Sequence, residues 1–153
     1  MPNFETRHRV DHTADNMFAL VADIERYPEF VPLCLDLTIR SSREKQGKTI
    51  LLADMTAGYK AIRETVTTQV VLDPESREIR TAYVEGPFEH LENVWRFHPL
   101  GQGGCDIEFK IDYAFKSRAL GLLMGSMFER AFAKFTNAFE ERADVIYKEK
   151  TSV

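Results

Sequence analysis

Residues 117–148, SRALGLLMGSMFERAFAKFTNAFEERADVIYK, contain no proline and carry their large apolar side chains at helical spacing. At about 100° per residue, Met124, Phe128, Phe132, Phe135, Phe139, Ala143 and Ile146 fall on one stripe, with Glu129, Arg130, Asn137, Glu140 and Glu141 opposite. A helix of this length with one aromatic face must bury that face against a partner. The segment directly before it supplies one. In CDIEFKIDYAF, Cys105, Ile107, Phe109, Ile111, Tyr113 and Phe115 alternate with Asp106, Glu108, Lys110 and Asp112, the period-two pattern of a strand with one dry and one wet face. Together they require a sheet covered on one face by a long C-terminal helix.

The rest of the chain provides that sheet. Phe4, Thr6, His8 and Val10 alternate with Glu5, Arg7, Arg9 and Asp11, which predicts a first strand. Thr13 is placed to cap a helical stretch in ADNMFALVADIERY, which Pro28 and Pro32 terminate. From Leu33 the period returns to two, with Leu33, Leu35, Leu37 and Ile39 on one side. Further strands are expected in KTILLADMTA, YKAIRETVTTQVVLD, REIRTAYVE and HLENVWRFHP, separated by the turn-like EKQG, DPES, EGPFE and PLGQGG. The expected architecture is α+β: a first strand, two short helices, a meander of about six antiparallel strands and the long helix, forming one domain over residues 1–150. A curved sheet wrapped around a single helix leaves a gap between them, a natural apolar cavity for a small ligand.

With 153 residues the chain is long enough for one domain with a sizeable core. Its formal net charge of -4 gives no general attraction to phosphate backbones, so direct DNA binding is not expected. Cys34 and Cys105 lie far apart, with no CxxC pair and no His/Cys cluster, which argues against a metal site or a disulfide framework. The segment MPNFETRHRV lacks the apolar core of a signal peptide, and no stretch approaches the roughly 18 apolar residues of a membrane span. A cytoplasmic location is expected, with peripheral contact at the inner face of the membrane.

Several residues are candidates for the cavity. In HLENVWRF, Leu91, Asn93, Trp95 and Phe97 share a face, which points the Asn93 amide inward among apolar neighbours, where a ligand carbonyl would partner it. His8 and Tyr113 are inward candidates of the same kind, and bonds to one another or to water serve them equally well. The Phe-rich helix stripe reads equally as plain core or as ligand wall. Gly121 and Gly125, near its inward face, are expected to open the cavity or its entrance. YPEFVP reads foremost as a rigid corner, with Tyr27 and Phe30 at a pocket rim. His90, Glu92, Arg96 and His98 alternate to the outer, solvated face. Leu122 and Leu123 sit off the main stripe beside Lys116 and Arg118, where they would touch either a bilayer or a neighbouring loop. No Ser/His/Asp set, paired carboxylates or phosphate-cradling glycine loop is present, so the sequence makes no positive case for an enzyme.

MFALVADIERYPEFVPLC, VEGPFEHLENVWRF and FERAFAKFTNAFEERADVIY resemble, in order and over nearly the whole chain, segments of the coenzyme Q-binding family of START-type, polyketide-cyclase-like helix-grip proteins. That family includes bacterial ribosome-association toxins of the RatA type. Its proline corner falls on Tyr27, Pro28, Phe30, Pro32 and Cys34, its turn on Gly86, Pro87 and Phe88, and its strand aromatic on Trp95. Leu33 departs from the family's frequent tryptophan, at the pocket rim. The resemblance implies that the chain binds ubiquinone or a related polyprenyl quinone, with no catalytic cofactor, and delivers it for respiration. The ligand-binding set is then His8, Tyr27, Phe30, Leu35, Asn93, Trp95, Phe109, Tyr113, Met124, Phe128, Phe132 and Phe135, with Leu122 and Leu123 for membrane or partner contact. Two alternatives stay open: a toxin that binds a ribosomal subunit and blocks association, and a cyclase or aromatase dependent on His8, Asn93 or Tyr113.

Overall fold

The computed structural model describes residues 3–59 and 61–148. The domain expected over residues 1–150 runs past these at residues 1, 2, 149 and 150. Strand β1 (Asn3–Val10) is followed by helix α1 (Ala14–Ala22) and a 3-10 helix (Ile24–Glu29), then by β2 (Cys34–Lys45), β3 (Lys48–Tyr59), β4 (Ile62–Asp73), β5 (Glu78–Glu85), β6 (Phe88–Pro99) and β7 (Cys105–Phe115). Helix α2 (Arg118–Ala143) then ends in a π-helical turn, Asp144–Lys148. All the strand pairs are antiparallel, in the order β1-β7-β6-β5-β4-β3-β2. The single crossover is made by the two short helices, which carry the chain from β1 at one edge to β2 at the other.

Local chemistry explains the boundaries. Thr13 caps α1 by accepting from the Asn16 amide at 3.1 Å, and Ser117 caps α2 by accepting from the Leu120 amide at 3.2 Å. Between β2 and β3, Gln46 and Gly47 both have positive φ, at 52° and 81°, the requirement of a tight hairpin turn that follows strand twist. At Gly86 φ is +145°, and a Cβ would meet the Thr65 carbonyl oxygen at 3.1 Å, so the β5–β6 turn demands glycine.

The sequence YPEFVP is a rigid corner. Pro28 lies within the 3-10 turn, the Tyr27 carbonyl accepts from the Val31 amide at 2.8 Å, and the Tyr27 hydroxyl donates to the Val21 carbonyl. Phe30 packs edge-on against Phe139 with ring centroids 5.0 Å apart, and the Arg142 guanidinium lies over its other side while pairing with Glu29. The corner is thus clamped to the C-terminal end of α2.

The expected helix stripe is the one that faces the sheet: Met124, Phe132, Phe139 and Ala143 are buried, and Phe128, Phe135 and Ile146 pack against the core. Trp95 meets Phe139 at 5.1 Å and Phe109 meets Phe135 at 5.9 Å, both edge-on. Each such burial contributes about 1.5–3 kcal/mol, which makes the aromatic stripe the main attachment of helix to sheet. Polar ties add to it. Glu140, on the polar side of the stripe, reaches His8 of β1, and the π-helical turn is held by His12 Nε2 to Asp144 at 2.7 Å and by the Tyr147 hydroxyl to the Asn16 carbonyl at 3.0 Å.

On the outer face, His90, Glu92, Arg96 and His98 are more than solvated. Glu108 joins His98, Arg96 and Lys110, and Glu78 joins Arg96 and Arg80, in a ladder across β5, β6 and β7.

Candidate functional site

The sheet's concave face and α2 enclose a cavity of about 160 Å³. Its helix wall is made by Met124, Phe128, Ala131, Phe132, Phe135 and Phe139, its sheet wall by inward residues of β2 to β7, and its near end by Tyr27, Val31, Pro32 and Leu33 of the corner. Among the described residues, and apart from Tyr27 and Cys34 at the corner, the wall is apolar except for Glu64, Thr68, Thr81 and Asn93. Register explains why three of these belong together. Asn93 stands opposite Thr81 across β5 and β6, and Thr81 stands opposite Val70, one pleat along β4 from Thr68. Directly opposed residues share a face, so the three form a polar track on the cavity floor, with Glu64 further along β4.

Asn93 Nδ2 donates to the Lys110 carbonyl at 2.8 Å, which fixes the amide while leaving one N–H and the Oδ1 atom for a guest. The side chains of Glu64, Thr68 and Thr81 take no protein hydrogen-bond partner among the described residues. Thr68 is nonetheless buried, at 7% exposure. Polar groups in this position are satisfied by whatever occupies the hollow. Cys34 also lines the cavity, and burial pushes its thiol up to about 11, so it stands protonated and weakly nucleophilic at neutral pH. Among the described residues, no group of three or more His, Cys, Asp or Glu is arranged to hold a metal ion.

Of the residues expected to bind a ligand, Tyr27, Asn93, Trp95, Phe109, Met124, Phe128, Phe132 and Phe135 line the cavity. Four others do not. Leu35 is the extra residue of a bulge: Cys34 pairs with Ala57 and Asp36 with Thr56, so the alternation slips by one and Leu35 faces out at 45% exposure while Cys34 turns in. His8 points to the helix side but is taken by Glu140 at the sheet edge. Phe30 sits behind Tyr27 under Arg142. Tyr113 is buried among Phe88, Phe115, Phe128 and Phe132, outside the hollow, where burial chiefly and Glu129 secondarily raise its phenol pKa. Gly121 and Gly125 also stay clear of the cavity: a Cβ on Gly121 would make ordinary contact with Phe115, and one on Gly125 would meet nothing. Glu64, Thr68 and Thr81 were missed, although the alternation Ile62, Glu64, Val66, Thr68, Val70 carries the signal for two of them.

A seven-stranded antiparallel sheet curved around a C-terminal helix, with an apolar hollow between, defines a helix-grip protein of the START type. The family described as "Polyketide cyclase / dehydrase and lipid transport" matches residues 10–140, and the chain belongs to it. Among similar proteins is "Ribosome association toxin RatA" of Vibrio cholerae, 33% identical over 140 residues that cover 92% of this chain and 94% of that one. Another is "Coenzyme Q-binding protein COQ10 homolog B, mitochondrial" of Xenopus laevis, 30% identical over 87% of this chain and 54% of that protein. The solution structure of the 18 kDa protein CC1736 from Caulobacter crescentus is 32% identical, with a TM-score of 0.80 over 97% of this chain and 99% of that one. No helix among the described residues is long and apolar enough to cross a membrane.

Proposed function

We propose that this chain binds a polyprenyl quinone, ubiquinone or a close relative, in the cavity and carries it without transforming it, in support of respiratory electron transport. The observation that carries the reading is the polar track of Thr68, Thr81 and Asn93 across an otherwise apolar floor. A quinone ring offers two carbonyl acceptors, and these side chains supply hydroxyl and amide donors. At about 160 Å³ the resting hollow is of the order of the roughly 150 Å³ cavity that takes one benzene ring, so it holds the ring of a quinone head, and the ring substituents and tail require the walls to part. The rest of an isoprenoid tail would leave between Leu33 and Ala131. The coenzyme Q-binding relative supports the ligand class. Leu122 and Leu123, 80% and 61% exposed, beside Lys116 and Arg118, support a peripheral contact with the inner face of the membrane from a cytoplasmic position. Mass spectrometry of an organic extract of the protein, purified from a quinone-producing host, is expected to show a bound quinone. Failure to find one, together with no quenching of Trp95 fluorescence by a short-tailed ubiquinone, defeats the reading.

The near full-length match to RatA favours a second reading, binding to a ribosomal subunit. Sucrose-gradient profiles separate the two: added protein shifts joined ribosomes to free subunits on the second reading and changes nothing on the first. A cyclase, the remaining alternative, would have to use Glu64 as its acid-base group with Asn93 only orienting the substrate by hydrogen bonds, since His8 and Tyr113 stand outside the hollow.

A further inference from the structure

Beside the cavity lies an open compartment of about 490 Å³ that shares Pro32, Leu33 and Ala131 with it, so these three residues are the partition between the two spaces. The compartment adds Leu123, Ser126, Met127, Arg130 and Lys134. Leu123, Met127, Arg130 and Lys134 follow one another at helical spacing, which makes a single face of α2, apolar toward its N-terminal half and cationic beyond. Among the described residues no acidic side chain lines the compartment, and neither Arg130 nor Lys134 enters an ion pair. On a chain of net charge -4, two neighbouring unpaired cations at the mouth of an apolar hollow form a local reversal of sign. The interior is opposite in character: among the described residues no Arg or Lys lines it, and Glu64 is the one charged residue that does.

We propose that this compartment is a headgroup subsite for an anionic amphiphile, a phosphate or carboxylate at the end of an isoprenyl or acyl chain, with the chain running between Leu33 and Ala131 into the cavity. The assignment rests on the reading that the cavity accepts an apolar chain. Orientation follows from the asymmetry of charge. Drawing an anion down to the polar track would strip its water and bring it toward Glu64, with no cation among the described lining residues to compensate. Left at the mouth, the same head keeps its hydration and gains Arg130 and Lys134. The rim is held for this: Leu33 adopts a left-handed conformation, φ 67°, and its carbonyl accepts from the Gly58 amide at 3.0 Å. The orientation is the reverse of that proposed for a quinone, whose neutral head enters first, and the two ligands exclude one another.

The test is a titration of the full chain at low salt with farnesyl phosphate and with farnesol, followed by the fluorescence of Trp95, the sole tryptophan and a cavity residue. The phosphate is expected to bind about tenfold tighter or better, the effect of roughly one charge-assisted hydrogen bond. In the double variant Arg130→Gln/Lys134→Gln this preference disappears while the farnesol affinity is unchanged, and in the wild type it shrinks as salt is raised. Equal affinities in the wild type, or a preference that survives the double variant, overturn the subsite. Farnesol binding without a phosphate preference does so while leaving the quinone site standing; binding of neither compound overturns both. Vesicles of phosphatidylcholine with and without phosphatidylglycerol identify the source of the head. Loss of the bound farnesyl phosphate signal only to the anionic vesicles marks a bilayer phospholipid, and loss to neither marks a free amphiphile; both outcomes support the subsite.

Discussion

The Nε2 atom of His8 donates to Oε1 of Glu140 at 2.8 Å, joining the first strand to the last helix across most of the chain's length. Each side chain is about one-third exposed, at 31% and 33%, so the pair is screened by solvent but fixed at both ends by secondary structure. His8 is therefore a tie between sheet edge and helix, and no ligand contact falls to it. His8→Leu is expected to lower stability by about 0.5–1.5 kcal/mol, read as a shifted urea midpoint, with quinone affinity unaltered. A large loss of affinity at unchanged stability would return His8 to the binding site.

Thr81→Val keeps the shape of the floor and removes one donor from the middle of the polar track. A short-tailed ubiquinone should bind this variant about tenfold more weakly by Trp95 quenching, while an alkyl probe lacking carbonyls binds as before. Equal weakening of both would mean that the track shapes the hollow and does not read the head.

At Gly125 nothing lies within 4 Å of an added Cβ, and the residue is interior to α2. Gly125→Ala should therefore stabilise by about 1 kcal/mol and raise the Tm by about 2–4 °C, the propensity difference of an unobstructed helix site. Gly86→Ala should act oppositely, because φ is +145° and the Thr65 carbonyl stands in the way. Paired thermal melts check both signs.

Burial pushes the thiols of Cys34 and Cys105 up to about 11 from an ordinary 9.0. The thiolate population of each is then about a hundredfold below that of an open thiol, and iodoacetamide at neutral pH should label the native protein slowly and the urea-unfolded protein quickly. Fast labelling of Cys34 in the native state would show that the cavity mouth stands open to water.

Glu108 accepts from His98 Nε2 at 3.0 Å and lies 3.2 Å from Lys110 Nζ, and these partners, His98 foremost, hold its carboxyl below the ordinary 4.5 despite partial burial. A folded-state pKa below the unfolded one contributes stability above the unfolded value, and this is lost as pH falls through the folded value. Glu108→Gln should be less stable than wild type by about 1 kcal/mol at pH 7, with the gap closing as pH falls below the ordinary 4.5 and through the lowered folded value. A gap that persists at low pH would assign the loss to packing.

The elements that the sequence made legible are those with long, unbroken periodicity. The stripe from Met124 to Ile146 and the alternation from Cys105 to Phe115 each repeat often enough to define a face, and their mutual burial forces the rest of the sheet to curve over them. What escaped lies where periodicity breaks or where partners come from distant segments. Uninterrupted alternation from Leu33 puts Leu35 inward, but a bulge adds a residue there without any mark in composition. His8 and Glu140 each sat on a correctly read face, but only the docking of α2 against β1 brings them together. Thr68 and Thr81 become one track through the pairing of β4 with β5, and strand-to-strand register is not written in either strand alone. Gly121 and Gly125 interrupt a stripe of large side chains and so suggest space for a ligand, whereas their missing side chains face Phe115 and open surroundings.

The strand order begins at β1 and ends at β2, and these two edges bond only inward, never to one another. The hollow therefore has a seam, closed by α1, the proline corner and the aromatic contacts of α2. Because no strand pairing crosses that seam, it can part with every ladder hydrogen bond of the sheet left in place. What holds it shut is side-chain contact alone: Tyr27 and Phe30 against Phe139, and Arg142 over Phe30 and on Glu29.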